Sequence, residues 1–157
     1  MTNEYQIYIL SPPEQQALDA LDKYLELVLE FPKIKELVLS HAHPLYRLTR
    51  PQLVVSKTCG SGIAGQTWYY NNKDSVIELS SWVLYDILEA KRVIRHEVAH
   101  VIKSFCKFDG GVHGRGYYKV LRIVSGKVWK RDRRWKNSVS IEKARSKIHP
   151  KIRIEFE

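Results

Sequence analysis

The sequence predicts a single α+β domain, and three observations carry that expectation. Apolar residues recur at three- and four-residue steps near the N-terminus, β-branched and aromatic residues crowd the middle, and helical spacing returns after about residue 80. The 157 residues show no internal repeat and no low-complexity linker, and a chain of this length builds one ordinary core. With 44% apolar and 27% charged residues, its composition excludes a largely disordered chain.

Each element has a local reason. Ser11-Pro12-Pro13-Glu14 reads as a helix start, with Ser11 as the cap, proline in the first turn and Glu14 closing a capping box. Leu18, Leu21, Leu25 and Val28 then mark one face of a helix running to about Phe31, where Pro32 ends it. A shorter helix is expected over residues 34–39. Residues 52–58, 63–70 and 75–79 are rich in Val, Ile, Thr and aromatics, and are punctuated by Cys59-Gly60-Ser61-Gly62 and Asn71-Asn72-Lys73-Asp74. That pattern predicts a small three-stranded antiparallel sheet, a meander with two turns. From Ser80 or Ser81 a short helix and then a long one ending near Phe105 are expected. Asp109-Gly110-Gly111 breaks the chain, and a further helix covers residues 113–124, closed by Gly126. The tail offers a helix at residues 140–147 and an alternating edge strand at 151–156.

No apolar run is long enough to span a bilayer, so no membrane role is expected. The N-terminus MTNEYQIYILSPPEQQ lacks the basic start and apolar stretch of a secretory signal. Cys59 and Cys106 cannot build a disulfide framework or a four-cysteine zinc site. The expected setting is intracellular, in cytoplasm or nucleoid and not secreted, with both thiols reduced.

The chemistry concentrates at His96-Glu97-Val98-Ala99-His100. Two histidines four apart on a helix share one face and can bind one metal ion, while Glu97 is placed to reach a water on it. Val93, Ile94, Val98, Val101, Ile102 and Phe105 make the helix largely buried, and unpartnered imidazoles and a carboxylate inside it would cost several kcal/mol. Zinc is the natural ion, with one position left open for water. A third ligand is then needed. The metzincin pattern fails, because its Gly and His positions hold Lys103 and Cys106 and the sole methionine is Met1. Glu142 is the one candidate for a gluzincin-type ligand before the terminal strand; His113, after the Gly-Gly turn, is the better placed.

The pattern resembles the SprT-like metalloproteases, which include the Spartan proteases. The similarity covers roughly residues 50–126: a β-rich lead, Ile77-Glu78-Leu79-Ser80, H-E-x-x-H, and twelve residues later His113-Gly114 with an aromatic at Tyr117. Gly116 stands where many members carry an acidic residue, and the cysteine-rich zinc ribbon of many members is absent. The resemblance implies a zincin-like α+β fold over residues 1–126, with His113 as third ligand beside His96 and His100. It further implies a zinc-dependent endopeptidase, with Glu97 as general base, that acts on proteins associated with or crosslinked to DNA.

Residues 127–157 form a basic C-terminal extension packed on or flanking that domain, holding 11 Lys/Arg against 4 Asp/Glu, a net +7 of the chain's +9. Within it Lys127, Lys130, Arg131, Arg133, Arg134 and Lys136 interleave with Trp129 and Trp135. Such cations can neutralise phosphates and the indoles can stack on bases, so DNA, single-stranded or duplex and without sequence specificity, is the expected partner beside a protein or peptide substrate. The rival reading is a nucleic-acid-binding protein whose zinc is structural or catalytically silent; Glu97 weighs against it, because a structural site needs no carboxylate beside an open position. His41, His43 and His149 are expected at the surface and Cys106 in the core. Tyr117 and Tyr118 are candidates for substrate contact or oxyanion polarisation, at least one of them being core.

Overall fold

A computed structural model of the chain describes residues 8–41, 48–57, 63–70 and 74–125. These residues form four α-helices, a short 3₁₀ helix and three strands, an α+β architecture. Helix α1 (Pro12–Leu29) begins with both arms of its capping box closed: the Ser11 backbone N–H donates to Glu14 Oε1 at 2.8 Å, and the Glu14 N–H to Ser11 Oγ at 3.4 Å. Leu21, Leu25 and Val28 form its buried stripe. Pro32 ends α1 and opens α2 (Pro32–Ser40), where the first turn loses nothing from its missing N–H and Ile34 is the buried anchor.

The sheet corrects the expected antiparallel meander. Strands β1 (Gln52–Ser56), β2 (Gly65–Tyr69) and β3 (Ser75–Ser80) lie in the order β1-β3-β2, with β3 parallel to β1 and antiparallel to β2. The sheet is therefore mixed, and its last strand is central. The physical cause is β3's near-continuous apolar run: Val76, Ile77 and Leu79 are all buried, which suits a strand flanked on both edges, whereas β1 and β2 are only partly covered. The connection over residues 57–64 easily covers the roughly 10 Å separating strands two places apart.

A 3₁₀ helix, Ser81–Tyr85, buries Trp82, Val83 and Leu84 and leads into α3 (Ile87–Cys106), capped by Asp86 through the Glu89 N–H. Helix α3 is the hub. Val93, Ile94, Val98, Val101 and Ile102 are buried, and it packs against α1, β2, β3 and α4 (Arg115–Ser125). Cys106 is in the core, as expected. The last helix starts at Arg115 rather than at residue 113, because a turn closed by Gly114 N–H to Gly111 O (2.9 Å) precedes it, and His113 sits in that turn. No helix among the described residues is long and apolar enough to cross a membrane. The expected tail helix and strand lie outside the described residues.

Candidate metal centre

Two of the expected ligands come from one helical face. His96 and His100 are a turn apart on α3, with Nε2 atoms 3.2 Å from each other. His113 Nε2 stands 3.1 Å from that of His100 and 3.3 Å from that of His96, so two ligand atoms from α3 and one from the turn before α4 form a nearly equilateral triangle. Together they can hold a metal ion, and this is the one such His/Cys/Asp/Glu cluster among the described residues.

The third corner depends on the loop after α3. Lys107 ends the helix in the left-handed region (φ 54°), reversing the chain. Lys103 Nζ donates to the carbonyl oxygens of Gly110 (3.1 Å) and Gly111 (2.9 Å), tying the loop back onto α3. The Gly116 N–H donates to Asp109 O at 3.2 Å, and a Cβ at residue 116 would stand 2.6 Å from Phe108 Cβ and 2.7 Å from Asp109 O. That close approach leaves no room for a side chain at residue 116.

Chemistry explains why the triangle suits a cation. A neutral imidazole has one ring N–H and one lone pair. Tyr117, fully buried on α4, places its hydroxyl 2.7 Å from His96 Nδ1. With Nδ1 protonated and donating to that hydroxyl, His96 Nε2 carries a lone pair aimed at the other two ring nitrogens, where a cation at the centre can accept it. Tyr117 is thus both core and a partner of a ligand. Tyr118 packs edge-on against its ring.

Glu97, next on α3, is 5% exposed. Thr67 Oγ1, from β2, donates to Glu97 Oε2 at 2.6 Å. Burial pushes the Glu97 carboxyl up to about 7, against the opposing pull of the Thr67 hydroxyl. Tyr69, two residues along the same strand face, has its phenol pushed up to about 12 by burial and by the charge of Glu97. Sequence reasoning missed both Thr67 and Tyr69. Period-two alternation puts 65, 67 and 69 on one face, but nothing local says that α3 lies beneath it.

His41 is an exposed residue at the end of α2, with Nδ1 2.9 Å from Leu37 O, and takes no part in the cluster. His43, Glu142, His149 and the basic segment from Lys127 through Trp129, Lys130, Arg131, Arg133, Arg134 and Trp135 to Lys136 lie outside the described residues. Compared with family models, curated proteins and solved structures, the chain matches none of them.

Proposed function

We propose that the chain is a zinc-dependent endopeptidase of SprT-like type and zincin-like fold, acting on DNA-associated or DNA-crosslinked proteins. The observation that carries the reading is the triangle of Nε2 atoms, 3.1–3.3 Å on a side, beside the buried Glu97. Nitrogens about 2.0–2.1 Å from a tetrahedral zinc ion stand about 3.3–3.4 Å apart, and three protein ligands leave the fourth position that catalysis requires.

His96, His100 and His113 would hold the ion, with the Tyr117 hydroxyl orienting His96. Zinc bound there supplies Lewis acidity, polarising a peptide carbonyl and acidifying water towards neutrality. Glu97 accepts the proton of the attacking water and delivers it to the leaving amine, work suited to a carboxyl whose burial draws it towards neutral pH. Among the described residues β2 is an edge strand, and an extended peptide added there would lie along the strand that carries Thr67 and Tyr69. The basic segment at residues 127–136 would bring phosphate backbone to the enzyme.

Metal analysis and cleavage of an unfolded protein substrate test the reading. Single His96→Ala, His100→Ala and His113→Ala variants are expected to lose zinc and activity about equally, while Glu142→Ala keeps both. Full zinc in the His113 variant would remove it from the ligand set. For the tail, neutralising Lys130, Arg131, Arg133, Arg134 and Lys136 together is expected to flatten the salt dependence of DNA binding, by roughly 0.7–0.9 in log–log slope for each lost phosphate contact. An unchanged slope would end the DNA assignment and leave the peptidase reading intact.

A further inference from the structure

We propose that Thr67 is the positioning residue for Glu97: its hydroxyl holds Oε2 on the sheet side, so that Oε1 is the oxygen that handles the proton. The hydrogen bond is short, 2.6 Å, and reaches a carboxylate that is 5% exposed. The catalytic part of this inference rests on the peptidase reading above; the hold on the carboxylate does not.

Two rungs of one strand-on-helix contact build the arrangement. Thr67 pairs with buried Ile77 of β3, so its side chain shares the sheet face that looks onto α3. Gly65, two residues back, lies on the same face, and a Cβ there would stand 2.5 Å from Val93 Cγ1. Val93 and Glu97 are four apart on α3 and share a helix face. Two residues of strand advance about 6.7 Å and four of helix about 6.0 Å, so the Gly65–Val93 approach and the Thr67–Glu97 hydrogen bond fall into step. The missing side chain at residue 65 lets β2 come close enough for a hydroxyl as short as threonine's to reach the carboxylate. The same strand face carries Tyr69, whose phenol feels the Glu97 charge.

Thr67→Val removes the hydroxyl at nearly constant volume, and Thr67→Ser keeps it. In the zinc-loaded full chain, the valine variant is expected to lose about 10- to 100-fold in kcat, the range for a residue acting through a catalytic group, with KM and zinc content unchanged. Serine is expected to restore most of the rate. Gly65→Ala, which pushes β2 away from Val93, is expected to reproduce the loss. In the metal-free protein the carboxyl-carbon NMR signal of Glu97 is expected to move in Thr67→Val and return in Thr67→Ser. Thr67→Ala gives the same readouts should the valine variant fail to fold. Parental kcat in the valine variant, an equal loss in valine and serine variants, or an unmoved Glu97 signal would each overturn the proposal. A parent chain without peptidase activity would overturn the function proposed above, while the carboxyl signal still decides for or against the hold by Thr67.

Discussion

Glu14 at the start of α1 and Glu97 on α3 are equally covered, each 5% exposed, yet their environments push them in opposite directions. Burial raises both. At Glu14 it is outweighed by the Tyr8 hydroxyl (2.5 Å), the Ser11 backbone N–H (2.8 Å), and the Ser11 and Tyr85 side chains, which together hold the carboxyl below its ordinary value. Glu97 lies under a deeper layer of protein and receives the Thr67 hydroxyl, which is too little to offset burial, so its carboxyl rises to about 7. The number of donors and the depth of cover decide the outcome, not the residue type or its exposed area. Donors surround the carboxylate that fixes a helix end. They are sparse around the one proposed to move a proton.

The sharpest way to break the comparison is to neutralise each carboxyl. Glu97→Gln keeps size and removes the base, so cleavage is expected to fall by about two orders of magnitude or more with zinc retained. Glu14→Gln is expected to leave the rate within about twofold and to lower the unfolding midpoint in urea, since its amide offers one accepting oxygen where the carboxylate offers one to Tyr8 and one to the Ser11 N–H. Cleavage at the parental rate by Glu97→Gln would remove that residue from the chemistry.

The pH dependence of stability separates the two next, measured on metal-free protein by urea unfolding. A folded-state value above the ordinary 4.5 means that folding favours the protonated form. The Glu97 contribution is therefore greatest below about 4.5 and is lost as pH rises through about 7, by on the order of 2–4 kcal/mol. Glu14 has the opposite sign: its contribution is present above the ordinary carboxylate value and disappears as pH falls through its lowered folded value. Subtracting Glu97→Gln from the parent is expected to show a loss towards neutral pH, and subtracting Glu14→Gln a loss towards acid. Two differences of the same sign would refute the contrast.

These two carboxylates also show what could be read in the sequence. Ser11-Pro12-Pro13-Glu14 announced a capping box because every partner lies within four residues, and His96-Glu97-Val98-Ala99-His100 announced a shared face for the same reason. His113 was legible through the Gly-Gly break that returns the chain to α3. The order β1-β3-β2 was not, since short connections favour neighbours in sequence and only burial on both faces sends β3 to the centre. Thr67 was hidden for a related reason: its partner is thirty positions away, and the hydroxyl matters only because Gly65 admits the helix.

A smaller effect is expected where a single donor pair orients a ligand. Tyr117→Phe removes the hydroxyl 2.7 Å from His96 Nδ1 while keeping the ring that packs against His100 at 4.5 Å between centroids. Metal affinity, measured by competition with a chelating dye, is expected to drop about 10- to 100-fold. An unchanged affinity would mean that ring packing alone orients His96.

The smallest effect tests whether the donors around Glu14 act as a group. Ser11→Ala removes the side-chain arm of the capping box, and such substitutions cost about 0.5–2 kcal/mol. The low end is expected here, because the lost contact is 3.4 Å long, while the Ser11 backbone N–H survives the substitution and still donates to Glu14 at 2.8 Å. Tyr8→Phe, by contrast, takes away the 2.5 Å hydroxyl that the buried carboxylate accepts, so it is expected to cost more, roughly 1.5–3 kcal/mol. Urea unfolding of the two variants ranks them directly. If Ser11→Ala proved the costlier, helix capping and not the donor cluster would be what Glu14 contributes, and its contrast with Glu97 would reduce to depth of cover alone.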